Sequence, residues 1–297
     1  MVTLENHRLK VQIKELGAEL TSVIDQATGY EYIWQADENY WNRHAPVLFP
    51  IVGTLNDNQY TYEGQTYQLS RHGFARDEMF QTQMVTTNSA TFYLKSNAES
   101  LKVYPFEFSF QINYILHENS LTISYEVLNP SADKVLYYSV GGHPAFNVSV
   151  THKGSHMADF DQISYQFHPA GQYLRIPLDN KGLIDYYSAK YELVDNIPIK
   201  HKSFRKDAII YQINGQTEVS LTDNVANTHI LMKMNDMSYF GIWSPYPKKA
   251  PFVCLEPWAG ITDDAYNKVD FTAKRGINAL DPHQIKTHDY SITFNKD

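Results

Sequence analysis

The sequence predicts an all-β protein built as a large antiparallel β-sandwich. Three observations carry that expectation: apolar residues recur at every second position in run after run, helical stripes are scarce, and no strand–helix–strand rhythm appears. Leu9, Val11 and Ile13 alternate with Lys10, Gln12 and Lys14. Phe106, Phe108, Phe110, Ile112 and Tyr114 alternate with Glu107, Ser109, Gln111 and Asn113. Leu121, Ile123, Tyr125 and Val127 do the same, as do Tyr290, Ile292 and Phe294 near the end. A period of two puts one face of a strand on a core and the other in water or on a second layer. Turn signals join the runs. Glu63-Gly64-Gln65 reads as a three-residue hairpin loop, and Leu116 to Ser120 links two further strands. Glu38 to Asn42 is expected to form one short turn, and the polar, His-rich stretch from Thr151 to Asp161 reads as a loop. No repeat or low-complexity linker divides the chain, so residues 1–297 are expected to form one domain.

Composition narrows the partners. A net charge of −8 argues against a phosphate-rich polymer and gives no attraction to an anionic membrane surface. One cysteine, Cys254, excludes an internal disulfide and a zinc site of several thiolates. The N-terminal stretch lacks an apolar signal core, and no apolar run approaches the roughly 20 residues that span a bilayer. A cytoplasmic location is expected. The 22 Tyr and 15 Phe suit pleated sheets and sugar-binding surfaces, because flat rings stack on sugar C–H faces while polar tips hydrogen-bond. Most of these rings are expected simply to pack. The 12 His include His152 and His156, close in sequence, and His72, His143, His201 and His229, scattered. No His-Glu-x-x-His or Cys pair accompanies them, so no metal site is expected and most are assigned to surface loops.

Three motifs bear chemistry. Ser70-Arg71-His72-Gly73-Phe74-Ala75-Arg76-Asp77 gathers a His, two planar guanidinium forks and a glycine that allows close backbone approach. An Arg–Asp pair tying down a loop explains it equally well. Val140-Gly141-Gly142-His143-Pro144-Ala145-Phe146-Asn147 surrounds a His with two glycines, read as a tight turn, and a proline that biases His143 toward an extended backbone. Phe252 to Gly260 is an apolar strand that delivers Glu256 at its end, flanked by Leu255, Pro257 and Trp258. A carboxylate in such surroundings is costly without a task, and desolvation raises its pKa as suits a general base. Asp207 opens another apolar strand and reads either as a sugar ligand or as a turn residue.

In this order, HGFAR after a Tyr-rich hairpin, then GGHPAFN, then EPWAG, the chain resembles the galactose mutarotase-like superfamily, in particular its LacX-type aldose 1-epimerase branch. The resemblance runs from Leu9 to Phe294 and implies a galactose mutarotase-like supersandwich, an open sugar cleft and no cofactor. It assigns Glu256 as catalytic base and His143 as catalytic acid. His72, and less securely Asp207, become sugar-binding residues. Many relatives carry Arg where this chain has Thr54, which leaves Arg71 or Arg76 to supply the missing contact; Trp258 completes the substrate-binding candidates. The activity implied is interconversion of α and β anomers of a free hexose, by a monomer or homodimer whose partner is a small sugar. The alternatives are a hexose-6-phosphate 1-epimerase, a non-catalytic sugar-binding protein on the same fold, or a glycosidase using Glu256 and Asp207, which leaves His143 unexplained. The pH profile is expected to be bell-shaped, with its acidic limb from Glu256 and its basic limb from His143.

Overall fold

A computed structural model describes residues 1–151, 159–160 and 162–296. Two broad antiparallel sheets dominate it. One has nine strands in the order 197–198, 163–168, 218–223, 228–235, 285–296, 120–128, 109–117, 89–95 and 81–85. The other runs 190–194, 171–176, 209–212, 239–243, 252–259, 140–142 and 47–48, with 145–147 also paired to 252–259. Among the described residues the α-helix is confined to Ser100–Val103, and no helix is long and apolar enough to cross a membrane.

The alternation in the sequence explains the packing. Phe110, Ile112, Tyr114, Leu121, Ile123, Tyr125, Val127, Tyr290, Ile292 and Phe294 all point inward from the nine-stranded sheet and are buried. Phe240, Ile242, Val253 and Leu255 meet them from the eight-stranded sheet in one apolar cluster. Each fully buried side chain of this size contributes about 1.5–3 kcal/mol over the exposed state. Strand Phe252–Ala259 is buried at every position. Its odd-numbered residues face the sandwich core, so its even-numbered residues must be covered on the outer side, and that outer side carries the site.

Several local expectations hold and several need correction. Asp37 to Trp41 forms the short turn expected nearby, closed by the amides of Tyr40 and Trp41 on the Asp37 carbonyl. The Tyr-rich hairpin has a two-residue loop, not three, because Tyr62 pairs with Gln65. Glu63 and Gly64 both have positive φ, 50° and 76°, the geometry of a turn whose twist matches the flanking strands. Within the predicted loop from Thr151 to Asp161, Val150–Thr151 pairs with Asp159–Phe160; residues 152–158 and 161, including His152 and His156, lie outside the described residues. Four His residues, His72, His143, His201 and His288, are buried. His201 is a structural case, stacked on Phe160 at 3.8 Å and bonded to Asp159 at 2.7 Å.

Candidate active site

Strand Phe252–Ala259 lies between strand Tyr239–Trp243 and two short strands, Val140–Gly142 and Ala145–Asn147. The short strands share one register: Gly141 faces Trp258, and Ala145 faces Cys254. The interruption falls at His143-Pro144, where the Pro144 carbonyl still accepts the Leu255 amide at 3.1 Å. Continuing the register places His143 directly across from Glu256. Cross-strand neighbours share a face, and His143 Nε2 lies 3.1 Å from Glu256 Oε2. Glu256 thus sits inside its strand and not at its end, as the sequence reading had it.

The glycines before His143 serve packing, since Gly141 and Gly142 lie in an extended strand with no tight turn. A Cβ at Gly141 would sit 2.6 Å from Trp258 Cδ1, and one at Gly142 would sit 2.5 Å from the Tyr290 hydroxyl. On the other flank, a Cβ at Gly241 would meet the Trp258 ring at 2.7 Å. The indole of Trp258 therefore lies flat across a strip of sheet from which side chains have been removed.

Over this face opens a cleft of about 230 Å³ lined by His143, Glu256 and Trp258, with His72, Arg71, Arg76 and Asp207 at its walls. All the residues singled out from the sequence converge here. His72 has φ 68° and is followed by Gly73 at 71°. A Cβ on Gly73 would lie 2.3 Å from the Phe49 carbonyl oxygen, so the close approach expected of this glycine is real. The Gly53 amide donates to His72 Nδ1 at 3.1 Å, which leaves the ring proton to Nε2. The rings of His72 and His143 are 5.6 Å apart, edge to face. Arg71 donates to Asp207 Oδ2 at 3.0 Å and spans the cleft, while Asp207 Oδ1 accepts the Ala208 amide at 2.9 Å. Asp207 itself is held at φ 67°. Arg76 donates to the Arg71 carbonyl at 2.6 Å and approaches Asp77 at 3.8 Å, with Arg43 also on Asp77 at 2.9 Å. The loop-tying role thus belongs to Arg76, Asp77 and Arg43. Thr54 Oγ1 and Arg71 Nη1 border the same Gly182, within 3.8 and 3.9 Å of where its Cβ would be. Thr54 and the Arg71 guanidinium therefore border the same space around Gly182.

Sequence reasoning missed Trp41 and Trp243, which line the cleft and hold the imidazole of His143. Their rings lie 4.9 and 5.7 Å from it. A signal existed: the chain has only 4 Trp, and three of them meet here.

Burial sets the electrostatics. It pushes the Glu256 carboxyl well above the usual range, Arg71 pulling the other way and Asp207 adding to the rise. It pulls His143 down to about 3 and holds His72 well below an ordinary imidazole, with Arg71 and Arg76 adding to both. Arg76 is lowered to about 10 by burial and by Arg43. Glu256 Oε1, His143 Nδ1, Trp258 Nε1 and Arg76 Nε are buried without hydrogen-bond partners, which leaves polar valence for a ligand. Cys254 is a free, buried thiol. Among the described residues, His143, Cys254 and Glu256 form a set whose donor atoms lie within 4.8 Å of one another. A larger cavity of about 590 Å³ lies elsewhere, over Tyr60, Tyr239 and Phe271. Its cations are matched by carboxylates, Lys268 with Asp57, Lys274 with Asp263 and Arg275 with Asp264. Neither His143 nor Glu256 reaches it, so the chemistry belongs to the smaller cleft.

An antiparallel sandwich carries an imidazole and a carboxyl paired across two strands in an aromatic cleft, and comparison with known proteins shows which family it belongs to. The aldose 1-epimerase family model matches residues 1–293; the chain belongs to that family. It is 32% identical over 302 aligned positions to the plasmid and chromosomal LacX proteins of Lactococcus lactis subsp. lactis, covering 99% of each chain. The structure of a galactose mutarotase related enzyme from Lactobacillus acidophilus superposes with a TM-score of 0.94 at 39% identity, covering 99% of this chain and 97% of that one. A galactose mutarotase-like protein from Lactobacillus casei gives 0.90 at 32% identity, covering 99% and 100%. The protein is therefore an isomerase of the sugar-epimerase kind.

Proposed function

We propose that this protein interconverts the α and β anomers of a free hexose, with Glu256 and His143 moving the two protons that the reaction needs. The carrying observation is the cross-strand separation of 3.1 Å between His143 Nε2 and Glu256 Oε2 at the floor of the cleft. Mutarotation requires a base at the anomeric hydroxyl and an acid at the ring oxygen. Both oxygens are bonded to C1, so acid and base must stand side by side. Glu256 takes the hydroxyl proton, His143 protonates the ring oxygen, and the C1–O5 bond breaks to give the aldehyde. Rotation about C1–C2 and reversal of both transfers close the ring on the other face. Each well-placed acid or base is worth roughly 10²–10⁴ in rate.

The burial of the pair favours the middle of this cycle. Ring opening converts a carboxylate and an imidazolium into a carboxylic acid and a neutral imidazole. One proton is shared between the two groups throughout. A desolvated site disfavours charge on either group, so it stabilises the distribution that accompanies the open-chain aldehyde. His72 donates through Nε2 to a sugar oxygen, Arg71 and Asp207 bind a hydroxyl pair, and Trp258 offers its face to the sugar. Trp41 and Trp243 fix the imidazole.

A free hexose is favoured over its 6-phosphate because two guanidiniums near the cleft are already engaged, Arg71 by Asp207 and Arg43 by Asp77. Polarimetry on freshly dissolved α-anomers of free and 6-phosphorylated aldoses tests the reading. Free sugars are expected to be turned over at least as fast. A clear preference for the phosphates would assign Arg71 and Arg76 to an anion, and no acceleration with any sugar would leave a binding protein.

A further inference from the structure

We propose that His143, Cys254 and Glu256 form a capture site for a thiophilic divalent cation, Zn²⁺ in the first instance, whose occupancy shuts off the enzyme. Cys254 and Glu256 are two apart on one strand and so share a face, and His143 stands across from Glu256 on that same face. The three donor atoms, a sulfur, a nitrogen and an oxygen, all lie within 4.8 Å of one another. Zinc holds nitrogen and oxygen at about 2.0–2.2 Å and sulfur at about 2.3 Å, so the donors need only modest closing onto a shared ion. A further observation points to a ligand there: Glu256 is 1% exposed, and its Oε1 has no partner. A buried acceptor without a partner is costly, and a cation would satisfy it. His143 and Glu256 line the cleft, which gives the ion its route in, and a fourth position is left for water.

Three donors of this kind, with one open position, match the ligand number of catalytic zinc sites. Here, however, two of the donors are the proposed acid and base, and metal coordination occupies the lone pairs that proton transfer uses. The cation therefore inhibits and is not required. On binding, the thiol gives up its proton to solvent and the His143–Glu256 pair gives up its shared one. The inhibition rests on the epimerase reading; the binding does not.

The test uses the whole protein, stripped with EDTA and then titrated with ZnCl₂ or CoCl₂. Stripped enzyme is expected to keep its mutarotation rate. Zn²⁺ should bind at one equivalent per chain by calorimetry and inhibit competitively with sugar, and EDTA should restore the rate. Co²⁺ should give a thiolate-to-metal absorption band in the near ultraviolet. Cys254→Ala, with Cys254→Ser as a second variant, should keep its rate within about two-fold, lose the band, and need at least roughly tenfold more Zn²⁺ for inhibition. Equal Zn²⁺ sensitivity in wild type and both variants, or Co²⁺ bound to wild type without a thiolate band, overturns the site. The cobalt spectrum of the wild-type protein decides even when neither variant folds. A protein that binds cobalt through Cys254 but turns over no sugar would contradict the epimerase reading and leave the metal site standing.

Discussion

At the scale of single residues, the proposed chemistry is the exchange of protons between Glu256 and His143, and the burial of both groups bears on which pH limbs are expected. Sequence reasoning gave the acidic limb to Glu256 and the basic limb to His143, as their ordinary pKa values would. Burial raises the carboxyl and lowers the imidazole to about 3. The competent state holds one proton in the pair. Falling pH adds a second proton to it, and rising pH removes the last; both apparent values belong to the pair and not to either member. The account predicts a kcat/KM profile that is flat through neutrality, with its limbs pushed apart. Limbs near the unperturbed values of 4.5 and 6.5 would show that the cleft is wet when it works. A second prediction concerns Arg71. On the proposed reading Arg71 binds hydroxyls and does not touch the reacting proton, so Arg71→Ala should raise KM by roughly tenfold or more and lower kcat far less, the sign of lost uniform binding. A loss confined to kcat would place it in the transition state. Both catalytic candidates were legible in the sequence because each stands in an unusual local setting, a His before Pro after two glycines and a Glu within an apolar run. Trp41 and Trp243 were not, since an aromatic in a β protein looks the same whether it fills a core or holds an imidazole.

At the scale of elements, the site depends on one register. The break at His143-Pro144 interrupts the ladder without shifting it, so a one-residue slip would turn His143 to the other face. The two glycines flanking Trp258, Gly141 and Gly241, clear this strip for its ring. Gly141→Ala should be costly although its φ is ordinary: the new Cβ would lie 2.9 Å from the Pro257 carbonyl oxygen, a backbone atom, as well as against the Trp258 ring. Overpacking of this kind costs about 1–3 kcal/mol, and a melting temperature lower by several degrees is expected, with reduced sugar affinity as Trp258 shifts. An unchanged melt and KM would show that the sheet absorbs the methyl group. The sequence showed that two glycines precede His143 but suggested a turn, because a glycine pair looks identical whether it frees the backbone or clears space for a ring on the next strand. The hairpin loop was misjudged for a related reason: alternation locates strands but leaves their pairing open by a residue, and only the positive φ of both Glu63 and Gly64 fixes it.

At the scale of the whole molecule, buried imidazoles couple stability to pH. His72, His143, His288 and His44 all have folded-state values lowered by burial from 6.5. Between its folded and unfolded values, each binds a proton in the unfolded chain and not in the native one, so stability rises with pH across that interval. The contribution of His72, His288 and His44 is complete above about pH 6.5 and is lost as pH falls below it, while in the His143–Glu256 pair the raised carboxyl acts in the opposite sense. The melting temperature should therefore drop steadily below pH 6.5. A melting temperature that stays level from pH 7 to 4 would contradict the burial of these rings. The antiparallel architecture was the most legible feature in the sequence, since period-two alternation over long runs such as Phe106 to Tyr114 admits no other packing. What alternation hides is which face of the central strand Phe252–Ala259 carries the cleft, because residues buried against a core and residues buried beneath a cleft are equally apolar. The central claim, that the pair on that strip performs mutarotation, is tested most directly by polarimetry of Glu256→Gln, His143→Asn and the double variant on a freshly dissolved α-aldose. The account predicts that each single variant loses roughly 10²-fold or more in kcat, with a matching loss in kcat/KM, and that the double variant is far less impaired than the product of the two. A Glu256→Gln enzyme with near-normal rate and an unchanged pH profile would contradict it and make Asp207 the first carboxylate to test instead.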